Sequence, residues 1–200
     1  MVPMASRTAI WLVFVGVLIA AVGVFFRGDG AVETVLSPRG ESYKMITSGV
    51  YRYNSQRMVA EGIGWDLFTL FAAVPALIIC MIGLARGALR ARLFALGVLG
   101  YLFYQYLMYA VAWAFGSLFL LFVVIYALSL VAAVRILTTI RIADLGSRVG
   151  EGFPALGMGI FSLAMAGLLV IMWLGRIVPA LGEEIQGILL GQTTLVVQAL

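Results

Sequence analysis

Two hundred residues that are 64% hydrophobic and 11% charged, with a mean hydropathy of +1.11, stand far from a soluble domain, which is about 45–50% apolar and about 25% charged. The chain has no histidine, which removes the commonest metal ligand, the usual haem ligand and the usual acid–base group near neutrality, so His-ligated metals, Ser-His-Asp triads and Cys-His pairs are excluded. One cysteine, Cys80, lies in an apolar run and allows neither an intramolecular disulfide nor a C-x-x-C site; the formal charge of +4 comes from basic residues spread between hydrophobic runs, so nucleic acid is not an expected partner.

A helix rising 1.5 Å per residue needs about 20 mostly apolar residues to cross about 30 Å of hydrocarbon. The first such segment runs from Thr8 to Phe26, after Arg7. It is longer than the apolar core of a signal peptide, about 7–15 residues, and reads as a retained signal anchor; Ala20-Ala21 keeps a cleavable signal peptide as the alternative. The polar stretch 27–65 follows. In it Val32 to Leu36 and Tyr43 to Thr47 are β-prone and flank Ser37-Pro38-Arg39-Gly40, which predicts a small hairpin. A lone hairpin is marginal in water and needs a surface to pack on. Asn54 or Ser55 is placed to cap a short helix over 56–61, after which Gly62 and Gly64 permit a bend before Trp65 and Asp66 enter the bilayer.

The second span is read from Leu67 to Ala85, with Pro75 midway, where the missing N–H frees the carbonyl of Phe71 and bends the helix. The third runs from Leu93 to Phe115, the fourth from Leu118 to Val134 and the fifth from Ala155 to Gly175. None of the five carries an internal charge. Continuous apolar runs, rather than alternation over about ten positions, indicate helices and not barrel strands. The stretch 185–200 is short and holds Gln186, Gln192, Thr193, Thr194 and Gln198, so it reads as a truncated sixth span or a helix lying in the interface. The expected fold is all-α: a polytopic transmembrane helix bundle forming one domain over 1–200, with five spans, a short or truncated sixth segment and a small external β-hairpin.

Lys and Arg in short loops resist translocation. Alternation of the spans puts Arg7, Arg86, Arg90, Arg92, Arg135, Arg141 and Arg148 on one side, which makes that side and the N-terminus cytoplasmic and leaves 27–65 and Glu183-Glu184 outside. The expected location is the inner (plasma) membrane.

Candidate chemistry is sparse. Asp66, at the outer end of the second span, is either a ligand contact or a helix N-cap favoured by the dipole. The third span carries Gly97, Tyr101, Tyr104, Gln105, Met108 and Ala112 at three- and four-residue steps, so one face holds small residues, phenols and an amide. Tyr109 and Trp113 suit an interfacial belt. Tyr101, Tyr104 and Gln105 are too deep for that, and Tyr126, Ser129 and Ser162 fall at similar depth; these six are expected to form a mid-membrane hydrogen-bonded cluster, because an unpaired polar group in hydrocarbon costs several kcal/mol. Such a cluster either lines a site for a lipid, quinone or pigment or bonds the helices together. Small residues at packing spacing, Gly16-Ala20-Gly23, Gly97-Gly100, Ala155-Gly159 and Ser162-Ala166, let helices approach each other or another protein. Gly157-Met158-Gly159 lacks the strand and third glycine of a dinucleotide fingerprint, and Asn54-Ser55-Gln56 is not a glycosylation acceptor. Glu183-Glu184 is read as a solvated pair rather than a cation site.

The run Tyr101 to Ala110, with Phe119-Leu120-Leu121, Ala127 to Leu130, and Asp66, Thr69 and Pro75, resembles a group of uncharacterised bacterial multi-pass membrane proteins over roughly Gly49 to Val134. The resemblance implies a bacterial inner-membrane protein without specifying an activity. It also implies further spans beyond residue 200. The expected function is a non-catalytic structural or accessory subunit packing against itself or other membrane subunits. The alternative is a carrier or sensor that binds a lipophilic molecule at Tyr101, Tyr104, Gln105, Tyr126, Ser129, Ser162 and Asp66. An enzyme acting on lipid through Asp66 and Glu61 lacks a nucleophile–base pair. No cofactor or metal is expected, although a lipid or quinone fits the alternative.

Overall fold

The computed structural model describes residues 4–36, 42–141 and 152–180. In chain order these form α1 (Met4–Val22), which tightens into a 3-10 turn (Gly23–Phe26), β1 (Val32–Leu36), β2 (Ser42–Ile46), α2 (Gln56–Phe68), a π-helical turn (Thr69–Ala73), α3 (Val74–Ala85), α4 (Leu89–Ala112), α5 (Phe119–Leu137) and α6 (Ala155–Ala180). Five helical stretches are long and apolar enough to cross a membrane: Arg7–Phe26, Gln56–Ala85, Leu89–Ala112, Phe119–Leu137 and Ala155–Gly175. β1 and β2 pair as a two-stranded sheet. The Thr47 N–H donates to the Ala31 carbonyl at 3.0 Å just beyond the strand ends, so the two strands run in opposite directions. The expected turn at 37–40, Arg148, Glu183-Glu184 and the segment 185–200 lie outside the described residues.

The chain divides into two compact units, one of Met1–Thr34 with Lys44–Arg141 and one of Val35–Tyr43 with Ile142–Leu200. The first is built around α5, which packs on both α1 and α4, while α3 packs on α4. Val13 and Val17 of α1, Leu77 of α3, Leu99 and Leu102 of α4, and Ala132 of α5 are fully buried there. Gly16 permits the α1–α5 approach, because a Cβ at that position would stand 2.9 Å from Ile125 Cγ1. In the second unit α6 is a single apolar helix that carries Ser162.

The second span differs from the sequence expectation in two ways. Ser55 caps α2, its Oγ accepting from the Met58 N–H at 3.2 Å, and the helix then continues without a break at Gly62 or Gly64 to Ala85. Asp66 is therefore an interior helical residue and not an N-cap. Pro75 lies inside this continuous stretch, directly after the π-helical turn. The proline for which a bend is expected is preceded by the π turn, in which the Val74 N–H donates to the Thr69 carbonyl five residues back.

Two other boundaries, both of α4, shift for local reasons. α4 ends at Ala112 rather than Phe115, since Trp113 is extended and the Ala114 N–H donates to Asn54 Oδ1 at 2.7 Å. The helix also begins earlier than Leu93 and takes in Arg90 and Arg92. Arg92 Nη1 donates to the Thr139 carbonyl at 3.0 Å, just past the end of α5, where a cation suits the free carbonyls.

Candidate functional site

The cap at Ser55 sets the register of α2. From it, Met58, Val59, Gly62 and Asp66, then Thr69, fall on the buried side at three- and four-residue steps. Asp66 is thereby turned inward, with only 2% of its surface exposed. On α4 the same periodicity buries Leu102, Gln105, Tyr106 and Tyr109. The Tyr109 hydroxyl donates a shared bond to Asp66 Oδ1 and the Gly62 carbonyl, 3.0 Å in each case. Tyr51, from the turn before α2, donates its hydroxyl to Asp66 Oδ2. Both carboxyl oxygens are occupied by phenols from two different parts of the chain.

The surroundings hold these donors in place. The Trp113 ring stands 4.5 Å from that of Tyr109 and 5.1 Å from that of Tyr51, and Gly62 makes room for it, because a Cβ there would overlap the indole. Asn54 is buried and ties the turn shut: its Nδ2 donates to the Tyr51 carbonyl at 3.1 Å while its Oδ1 accepts from Ala114. Burial first, and the Asp66 carboxyl second, push the Tyr51 phenol above its ordinary value. Tyr51 therefore stays a donor across the working pH range.

One turn further along the helix, Thr69 Oγ1 and Tyr101 Oη share a hydrogen bond of 2.7 Å. Tyr101 also packs edge-on against Phe68, centroids 5.4 Å apart. Beyond this layer Tyr106 Oη and Ser129 Oγ are buried and have no hydrogen-bond partner among the described residues.

The residues singled out from sequence thus separate. Tyr101 bonds to Thr69, which lies outside the six expected to cluster. Tyr104 is half exposed on α4, Gln105 is buried, Tyr126 packs against Phe103 at 6.3 Å, and Ser129 is buried on α5. Ser162 lies on α6 in the other unit. Tyr109 and Trp113, assigned to an interfacial belt, also belong to this site: Tyr109 bonds the buried carboxyl and Trp113 packs on both phenols. Tyr51 and Asn54 complete the site and were not read as part of it. The available signal was the acid itself: a carboxyl at a helix end with apolar neighbours needs donors, and phenols are the donors nearby.

At the other edge of the polar segment, Asp29 Oδ1 accepts from Ser48 and from the Ala31 N–H at 3.1 Å. These bonds, the one from Ser48 foremost, hold its carboxyl below the usual carboxylate range. Glu61 is engaged with Arg57 at 2.9 Å across one helical turn, away from Asp66. Among the described residues no three His, Cys, Asp or Glu side chains group as metal ligands. Chemically the Asp66 centre is a hydrogen-bonded hub joining α2, α4 and the Tyr51 turn. Comparison of the chain with protein-family models, curated proteins and solved structures gives no match.

Proposed function

We propose that the chain is a multi-pass integral membrane protein of a bacterial inner membrane, acting as a non-catalytic structural or accessory subunit, with its arginine-bearing end cytoplasmic and the hairpin outside. The observation that carries this reading is the occupancy of Asp66: both oxygens of the one buried acid among the described residues are taken by Tyr51 and Tyr109. A catalytic or ion-relaying carboxylate needs a position about 3 Å away for a reacting atom, and here the chain's own phenols stand there. Lipid contact is supported by the side chains left exposed along the helices, among them Leu12, Val15 and Ile19 of α1, Ile79 of α3 and Val124 and Val131 of α5. A protein partner is supported by Gly97 and Gly100 on the exposed side of α4, where an added Cβ would meet nothing within 4 Å; small residues of this kind let a second helix come close.

The test is extraction in a mild detergent with a photo-crosslinker replacing Phe94 on that side of α4. A stoichiometric complex, with itself or with a second membrane protein, whose crosslink is lost in Gly100→Leu supports the reading. A lone monomer that crosslinks to lipid alone overturns it. The carrier reading rests on the unpartnered Tyr106 and Ser129 hydroxyls, each of which could receive a polar group of a lipophilic guest. A quinone or pigment retained at one copy per chain, and lost in the double substitution Tyr106→Phe with Ser129→Ala, would favour that alternative.

A further inference from the structure

We infer that the groove between α1 and α3, at the end of the helices where the arginines gather, seats one acyl chain of an anionic phospholipid with its phosphate against Arg7. This inference rests on the membrane reading above and assigns one of the lipids.

The groove has a volume of about 250 Å³ and is lined by Arg7, Ile10 and Trp11 of α1 and by Ile78, Ile82 and Ala85 among the α3 residues. It exists because α1 packs chiefly on α5 and only lightly on α3. Its long dimension follows α3 from Ala85 to Ile78, which at 1.5 Å per residue is about 10 Å, or roughly a third of the hydrocarbon thickness. A site that engulfs a drug-sized molecule occupies about 300–1,000 Å³. This groove is smaller and laterally open, with Trp11 and Ile82 half exposed, and it fits a length of hydrocarbon chain rather than an enclosed small molecule.

Its polarity is graded. Arg7 is the one charged side chain of the lining and lies at the arginine-bearing end, with Ile78 about two helical turns from Ala85 along α3. Arg86 follows Ala85 directly and is exposed. No acid among the described residues forms an ion pair with Arg7 or Arg86. A guanidinium presents a planar fork of donors that matches phosphate oxygens, and basic sites between helices at the cytoplasmic side are suited to anionic headgroups. Trp11 lies one helical turn inward from Arg7, where an indole belongs at the boundary between headgroup and acyl chain. A net negative lipid answers the two cations without bringing the positive group that a zwitterionic headgroup carries.

The experiment uses the full chain in nanodiscs of mixed phosphatidylcholine and phosphatidylglycerol, with lipids counted by native mass spectrometry as collision energy is raised. The expected result is one phosphatidylglycerol retained per chain after the other lipids are stripped. Arg7→Gln lowers that retention about tenfold, the scale of one charge-assisted hydrogen bond. Ile82→Trp, which fills the groove and leaves the charge intact, lowers retention of both lipids. Millimolar inorganic phosphate leaves the bound lipid in place. Retention unaffected by Arg7→Gln overturns the inference, as does an equal loss in Arg90→Gln, which would reveal diffuse attraction, or displacement by phosphate alone. Chains that survive an alkaline carbonate wash in the membrane yet hold no preferred lipid overturn the groove and leave the membrane reading standing. Chains released by the wash overturn both.

Discussion

Removal of the Tyr51 hydroxyl leaves Asp66 Oδ2 buried without a donor while the ring still packs on Trp113. A buried acceptor stripped of its partner costs about 1–3 kcal/mol, more when charged. Tyr51→Phe is therefore expected to lower unfolding free energy by about 2 kcal/mol. Tyr109→Phe should lose a similar amount, since its hydroxyl serves Asp66 Oδ1 and the Gly62 carbonyl together. Because both phenols address one carboxyl, the double variant should depart from additivity by at least about 0.5 kcal/mol. Denaturant unfolding in detergent, followed by tryptophan fluorescence, measures all three; single losses below 0.5 kcal/mol would show that the hub does not hold the turn to the helices. Asp29 gives a different residue-scale outcome. Its folded carboxyl sits below the usual range, so the stabilisation it provides is present above the ordinary carboxylate range and is lost as pH falls through the depressed folded value. Ser48→Ala removes the leading cause. The Asp29 carboxyl carbon in that variant should titrate at higher pH than in the parent chain, and an unmoved NMR titration would reassign the effect to the Ala31 N–H.

The turn that delivers Tyr51 depends on Gly49, which has φ +77° and lies so close to Arg27 that a Cβ would overlap the Arg27 carbonyl. Gly49→Ala meets both the left-handed backbone penalty, about 1–2 kcal/mol, and that overlap. Its effect should be confined to one element. Hydrogen exchange and proteolysis within 42–55 should accelerate, while amides of α4 and α5 keep their protection; uniform loss of protection would mean that the turn and helices unfold as one. The legibility of the fold follows the same division. Five apolar runs and a pair of β-prone segments were visible in sequence because long apolar helices and paired strands leave continuous or periodic signatures. The length of α2 was not, since Gly62 and Gly64 look like breakers, whereas Gly62 serves close approach by Trp113, a contact between residues 51 positions apart. The bonding of Tyr109 and the packing of Trp113 were not legible either, since a depth argument says nothing of the Tyr51 turn that meets them. Asp66 was recognised as a candidate, but its two partners come from the Tyr51 turn and from α4, and no spacing rule connects them.

At the scale of the whole first unit, Arg92 reaches Thr139, Gly83 faces Ala91, and Arg7 lines a groove with Ala85. The start of α1, the end of α3, the start of α4 and the end of α5 therefore share one end, and Asp66, Tyr51 and Trp113 mark the opposite one. The basic residues at the first end include Arg7, Arg86, Arg90, Arg92 and Arg135, and the bias of Lys and Arg toward the cytoplasm supports the orientation proposed above. Cys80 is fully buried, so it stays silent to a membrane-impermeant maleimide and, replaced by alanine, leaves a clean background. In intact cells Glu33→Cys should be labelled, and Ala88→Cys and Thr138→Cys should react only after the membrane is made permeable; all three positions are exposed and none removes an arginine. Labelling of Ala88→Cys and Thr138→Cys from outside, with Glu33→Cys protected, would invert the orientation and show that the cations do not govern insertion. Labelling of all three from outside would mean that the helices do not cross, and the exposed apolar faces would then need a protein rather than lipid to cover them.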